Sequence, residues 1–245
     1  MQLNTTPPMP TIPLLPSQLV VTTIFNSIES LGFTNIAGKV FPGEQAESRQ
    51  ETNLKVSTKK FYTQGLKNLE QLDLHGAIKN FTATININPQ FASAYNDRGV
   101  ARYKLGYKQS AIEDLTTAID LNPYRAKYYS NRGFILTRLK DYTAAIADYN
   151  SALLLHPNLT QAYFNRGAIC LQMENSLAAL ADFESAIRLD RDFAKAYFNR
   201  GVTRYKLREV HGAFEDFQKA AGLFKQQGKI DSYREAVSKI RKLWY

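Results

Sequence analysis

The sequence predicts an all-α solenoid, five helix–turn–helix units stacked in a line and closed by a C-terminal capping helix. Three observations predict it. Glycines at 65, 99, 133, 167 and 201 are spaced by 34 residues, and a strict period of that length marks a repeat array. Around them Asn-Arg-Gly recurs at 131–133, 165–167 and 199–201, with Asp97-Arg98-Gly99 as a near copy. Alanine keeps the same step at 77, 111, 145, 179 and 213. A unit this short cannot cover its own apolar face, so each must stack on the next.

Residues 1–57 precede the array as a flexible leader. Five of the nine prolines fall within the first 16 residues, a composition expected to be extended or disordered. Val20, Ile24, Ile28 and Leu31 then mark a short amphipathic helix, stopped at Gly32. No lysine or arginine precedes Lys39, and Pro13 and Pro16 interrupt the run. That argues against a secretory signal, and the apolar stretch is too short to span a bilayer. From Gly43 to Thr58 the chain is polar and reads as a linker.

From Thr58 the register runs 58–91, 92–125, 126–159, 160–193 and 194–227. With glycine at position 8 and alanine at 20, position 24 carries Phe81, Leu115, Tyr149, Phe183 and Phe217. Position 27 carries Thr84, Ala118, Ala152, Ala186 and Ala220, and position 32 carries Pro89, Pro123 and Pro157 before Arg191 and Lys225. These registers resemble the tetratricopeptide repeat (TPR) family over residues 58–227. Each unit is then a helix A near positions 2–14 and an antiparallel helix B near 18–31, and the resemblance implies a right-handed superhelix. The last two repeats lack the closing proline, which leaves Asp192 and Gly228 to supply cap and stop.

Residues 228–245 are expected to cap the array. Ile230, Tyr233, Val237, Ile240 and Trp244 form one stripe, while Lys229, Arg234, Lys239, Arg241 and Lys242 populate the rest. This pattern suits a polar-faced terminal helix, although a basic amphipathic helix can also lie on a membrane surface.

Position 7 departs from the family pattern by carrying Arg98, Arg132, Arg166 and Arg200, each followed sixteen residues on by Asp114, Asp148, Asp182 or Asp216. Repeat one has Gln64 and Asn80 instead, so both charges vanish together. The joint change predicts an ion pair between helices A and B of one repeat. The alternative places each aspartate against position 7 of the following repeat, where Arg234 would serve Asp216.

In the family, positions 2, 5, 6, 9, 12 and 13 of helix A line a concave groove that holds peptide ligands. Here that stripe holds six cations (Lys59, Lys104, Lys127, Arg138, Lys195, Lys206) against Glu70 and Asp97. A basic groove is implied. Asn131, Asn165 and Asn199 occupy position 6, matching an asparagine ladder that some TPR superhelices use to hold a peptide backbone. An amide both donates and accepts, so it can pair with either backbone group. The alternative is that duplication copied the asparagine and no ligand engages it. Phe164 and Phe198 at position 5, with Tyr205, Lys195 and Lys206 nearby, suit a peptide bearing an apolar anchor beside an acidic group. The two phenylalanines could instead pack between repeats. The carboxylate clamp of chaperone-binding TPR domains, with Lys and Asn at positions 5 and 9, is not matched.

The formal charge is +9 over 245 residues, and the excess sits on the array, which points to acidic partners. The expected function is a protein-interaction scaffold or adaptor binding an extended, acidic peptide, with RNA or DNA binding as the alternative. The tyrosines at position 4 (95, 129, 163, 197) belong to packing in the family, so charge alone supports nucleic acid. No phosphate loop, metal-ligand spacing or activated nucleophile occurs, so neither catalysis nor a cofactor is expected. Cys170 is the single cysteine and excludes an internal disulfide; the expected compartment is the cytoplasm. His75 and His211, four periods apart, read as helix-entry residues. Oligomeric state is not set by the sequence.

Overall fold

The computed structural model describes residues 42–243, with side-chain surroundings from Thr52 onwards. The expected helix over Val20–Leu31 and the expected core contact of Trp244 lie outside the described residues.

Eleven helices and no strand occur among the described residues. They are α1 (Pro42–Glu70), α2 (Leu74–Ile87), α3 (Ala92–Lys104), α4 (Lys108–Leu121), α5 (Ala126–Arg138), α6 (Tyr142–Leu155), α7 (Thr160–Gln172), α8 (Ser176–Leu189), α9 (Ala194–Lys206), α10 (Val210–Gln226) and α11 (Ile230–Lys242). From Thr58 on they form an α-solenoid of five A–B pairs followed by a terminal helix. In repeats two to four A spans positions 1–13 and B positions 17–30, one residue earlier than the sequence suggests and within the usual fraying of helix ends. His75 and His211 are the second residues of α2 and α10, as expected.

One segment departs from the sequence reading. The stretch 43–58 is helical and continuous with the first A helix. Its residues are polar, but Pro42 suits a first turn and no glycine or proline interrupts Glu44–Gln64. Polarity without a breaker is compatible with an exposed helix, and Leu54 and Val56 are indeed exposed.

The repeated small residues sit where A and B cross. A Cβ built on Gly133 would lie 3.2 Å from the carbonyl oxygen of Ala145 and 3.2 Å from Asp148 Cβ. On Gly201 it would lie 2.9 Å from the Phe217 ring. The glycine therefore lets helix A rest directly on positions 20, 23 and 24 of helix B. Ala77, Ala111, Ala145, Ala179 and Ala213 are fully buried there, with Phe81, Tyr149 and Phe183 beneath them.

The Arg–Asp registers meet within one repeat. Asp148 accepts from Arg132 Nε at 2.9 Å and Nη2 at 2.8 Å, and Arg98–Asp114, Arg166–Asp182 and Arg200–Asp216 repeat the fork. The bond to Asp148, working against burial, holds the Arg132 guanidinium above its ordinary range, and Asp182 does the same for Arg166. The remaining nitrogen reaches back one repeat, from Arg98 to Thr82, Arg132 to Thr116 and Arg166 to Asn150. Each of these three arginines thus ties its own helix B to the helix B before it. Three of the position-4 tyrosines lie under the position-7 guanidiniums, with Arg98 5.5 Å from the Tyr95 ring centroid, Arg166 5.7 Å from that of Tyr163 and Arg200 5.5 Å from that of Tyr197.

Helix B ends by two devices. At position 31 the side chains of Asn88, Asn122 and Asp190 accept from the backbone N–H two residues on, an Asx turn that bends the chain away from helix. This explains why α8 stops at Leu189 although Arg191 replaces proline. The expected cap at Asp192 is therefore corrected. Its side chain makes no cap, its carbonyl accepts from Gln227, and the residue preceding α9 is Phe193. In repeat five Phe224 and Lys225 offer neither Asx turn nor proline, and α10 runs 17 residues against 14 for α8. Gly228, at φ +69°, then stops it, as expected for a left-handed glycine.

The terminal helix α11 packs Ala236, Tyr233 and Val237 against Ala194, Ala220, Ala221 and Phe224. Arg234, Arg241 and Lys242 face solvent. Ile230, assigned to the apolar stripe from sequence, is half exposed instead, because it is the first residue of α11 and precedes the packed turn.

Candidate functional site

The A helices meet along one face through residues 35 apart. In the N-terminal half this contact is polar and closed. Tyr62 donates to Asp97 at 2.7 Å, Asn96 donates to Asp97 at 2.7 Å, and Asn131 donates to Asn96 at 2.8 Å. Ser93 and Tyr128 share a 2.9 Å bond. Lys127 approaches Asp97 at 3.4 Å. Burial, then the bond to Asp97, pushes the Tyr62 phenol well above its ordinary range. Asp97 is 5 % exposed and Asn96 1 %, and both are satisfied by neighbours, as buried polar groups require.

In the C-terminal half position 5 becomes phenylalanine and this network stops. Phe164 lies 4.9 Å from Phe193 and 5.9 Å from Phe183, ring to ring, while Phe198 lies 5.5 Å from Phe217. Both are only partly buried. Each phenylalanine therefore packs between elements and still leaves part of its ring exposed. A recess of about 240 Å³ is lined by Phe164, Lys195, Phe198, Asn199, Phe224, Ser232 and Glu235. An adjoining recess of about 330 Å³ shares Phe164 and Lys195 and adds Gln161, Asp190, Asp192, Phe193 and Lys229.

The three asparagines fare differently. Asn131 is held by Asn96, and Asn165 accepts from Gln161 at 2.8 Å. The carbonyl of Asn199 accepts from Thr203, but its side-chain amide bonds to no other described residue. The reason is its neighbour: where Asn131 finds Asn96, Asn199 finds Phe164.

Of the residues singled out from sequence, Phe164, Lys195, Phe198 and Asn199 come together at one recess. Lys127 and Asn131 belong to the polar network. Arg138 lies over the Phe134 ring at 5.3 Å. Tyr205 borders a separate recess of about 110 Å³ with Val202, Phe217, Lys239, Lys242 and Leu243, and Lys206 is exposed at the end of α9. Sequence reasoning missed Phe193, the last residue of repeat four, and Phe224 in the last turns of α10, neither of which stands on helix A, and also Ser232 and Glu235 on α11. The acids Asp190, Asp192 and Glu235 also offset Lys195 and Lys229 in this half.

Cys170 is buried beside Phe183, and burial pushes its thiol up, which disfavours the nucleophilic thiolate. No three His, Cys, Asp or Glu among the described residues could hold a metal ion. No described helix is long and apolar enough to cross a membrane.

Tetratricopeptide repeat models match residues 92–125, 126–159 and 164–228. No curated protein matches the chain by sequence. Among solved structures it is similar to a MamA protein, at 22 % identity and TM-score 0.62 over 71 % of this chain and 94 % of that one. PilF of Pseudomonas aeruginosa superposes with TM-score 0.64 at 20 % identity, over 78 % of this chain and 94 % of that one. YrrB, described as a TPR protein with an unusual peptide-binding site, superposes with TM-score 0.61 at 20 % identity, over 73 % and 90 %. The matched models fall in register on the A–B pairs of the solenoid, and the chain belongs to the tetratricopeptide repeat family.

Proposed function

We propose that the protein is an interaction scaffold that grips an extended peptide segment of a partner protein along the A-helix face, centred on its C-terminal half. One observation carries the reading: the Asn199 amide bonds to no other described residue, in a recess floored by Phe164, Phe198 and Phe224 and edged by Lys195. The aromatic floor suits an apolar anchor, Lys195 suits a neighbouring carboxylate, and Asn199 can hold the intervening backbone by one donor and one acceptor. Glu235 and the Asp190–Asp192 pair restrict the preference to one or two acidic groups beside the anchor, a narrower demand than a uniformly basic groove would make. Nothing in the site favours nucleic acid, since Tyr95, Tyr163 and Tyr197 at position 4 lie under arginines rather than offering open faces for base stacking.

The test is affinity capture with the full chain, comparing wild type, Asn199→Ala and Asn131→Ala. Loss of partners with Asn199→Ala and their retention with Asn131→Ala is the expected outcome. Identical partner lists for wild type and Asn199→Ala would sink the assignment.

A further inference from the structure

The larger C-terminal recess recurs three repeats earlier. Tyr62 and Phe91 stand 102 residues before Phe164 and Phe193, at positions 5 and 34, and stack alike, with ring centroids 4.8 Å apart against 4.9 Å. The first recess, about 300 Å³, is lined by Lys55, Thr58, Lys59, Tyr62, Asn88 and Phe91. Positions 2, 5, 31 and 34 line both recesses: Lys59, Tyr62, Asn88 and Phe91 in one, Gln161, Phe164, Asp190 and Phe193 in the other. In repeat two the same registers are polar, and a recess of about 200 Å³ is lined there by Ser93, Asn96, Asp97 and Arg125 with Lys127 of repeat three, Tyr62 and Tyr128 completing the lining. The A-helix face therefore reads aromatic, then polar and cationic, then aromatic.

We propose that the scaffold takes its peptide bidentately: two apolar, preferably aromatic, anchors occupy the Tyr62–Phe91 and Phe164–Phe193 recesses, and an acidic stretch between them crosses Arg125 and Lys127. The proposal rests on the peptide-scaffold reading above and adds a second anchor and its spacing. Charge complementarity selects the occupant. Lys59 edges the first recess and no acid among the described residues lines it, while in the middle Lys127 meets Asp97, itself bonded to Tyr62 and Asn96, and Arg125 remains as the excess positive charge. Spacing follows from packing. Helices in direct side-chain contact stand about 8–10 Å apart, so three steps between A helices span roughly 24–30 Å. An extended chain rises about 3.3 Å per residue, which places the anchors about eight residues apart.

The experiment uses the full chain and fluorescein-labelled peptides carrying two tryptophans separated by mixed glutamate and serine, with the separation varied from about two to about fourteen residues. Fluorescence anisotropy reads affinity. A maximum near a separation of eight is expected, about 100-fold tighter than the single-tryptophan peptide, as linked binding allows. Phe91→Ala and Lys59→Glu should each abolish the maximum and leave single-anchor binding. Lys59 is exposed, so that variant keeps the proposal testable should Phe91→Ala fold poorly. Single-anchor binding lost with Phe164→Ala, but no dependence on spacing, would overturn the second anchor and leave the scaffold reading intact. No binding by any peptide would overturn both.

Discussion

Replacing Asp148 by asparagine isolates the ion pair that the repeat carries four times. Its side chain is 7 % exposed and that of Arg132 22 %, and both carboxylate oxygens accept from the guanidinium. Hydrogen bonds to charged groups contribute about 1.5–3 kcal/mol, and orphaning one member of a buried pair costs about 3–5 kcal/mol. Arg132 is partly wet and keeps Thr116, so Asp148→Asn should cost about 2–3 kcal/mol, below the fully buried range. Arg132→Gln should cost a similar amount. The double variant should cost much less than the two together, because repeat one tolerates Gln64 and Asn80 as a pair, with Gln64 donating to Asn68 and Asn80 to Gly76. The expected coupling is about 2 kcal/mol. Asp114 receives both Arg98 and Arg102, so Asp114→Asn should cost more than Asp148→Asn. Urea unfolding followed by circular dichroism and fitted to a nearest-neighbour scheme measures these terms. Additivity within about 0.5 kcal/mol would refute the pairing.

Gly133→Val should overpack the A–B crossing and cost about 1–3 kcal/mol, while Gly222→Ala, whose Cβ would meet nothing within 4 Å, should gain about 0.5–1 kcal/mol of helix propensity; thermal melts separate the two. The buried hydroxyl of Tyr149 makes no well-formed hydrogen bond, and burial pushes its phenol up against the opposing pull of nearby Thr137 and Asn165. Tyr149→Phe should therefore raise the melting temperature by removing a desolvated group worth about 1–3 kcal/mol, and an unchanged or lower midpoint would show that the hydroxyl is satisfied. Cys170 should resist iodoacetamide in the folded protein and react freely in urea. Its folded pKa lies above the unfolded one, so its stabilising contribution is full below the ordinary thiol range and is lost as pH rises through the folded value. Wild type should therefore lose that contribution at alkaline pH, and Cys170→Ala should not.

The period and the tetratricopeptide resemblance together yielded the helices of repeats two to five and the crossing glycines, and the period pointed to the Arg–Asp pairs with an inter-repeat pairing as the alternative, because each is a within-repeat relation visible as residues that change together. What sequence did not reveal depends on contacts between repeats. The helical stretch 43–58 was hidden by equating polarity with linker. Phe193 was hidden because it stands at position 34, outside the helix A stripe, and Glu235 because the lengthened α10 shifts α11 out of the simple period. The unequal fates of Asn131 and Asn199 were hidden because they turn on position 5 of the preceding repeat, not on the asparagine.

That last dependence divides the molecule. With Asn96 at position 5, the next asparagine is consumed in a bond that ties neighbouring A helices together. With Phe164 there, the tie is lost, and aromatic packing through Phe183 and Phe193 supplies cohesion instead. The exchange leaves an amide unpaired among the described residues on the same face as an apolar recess. A hydrogen-bonded A–A contact and an amide without a partner among the described residues are thus alternatives drawn from one register. Retaining the asparagine while changing its neighbour moves a repeat from self-association to availability, with no change to the Arg–Asp pair or the crossing glycine that hold its own two helices together.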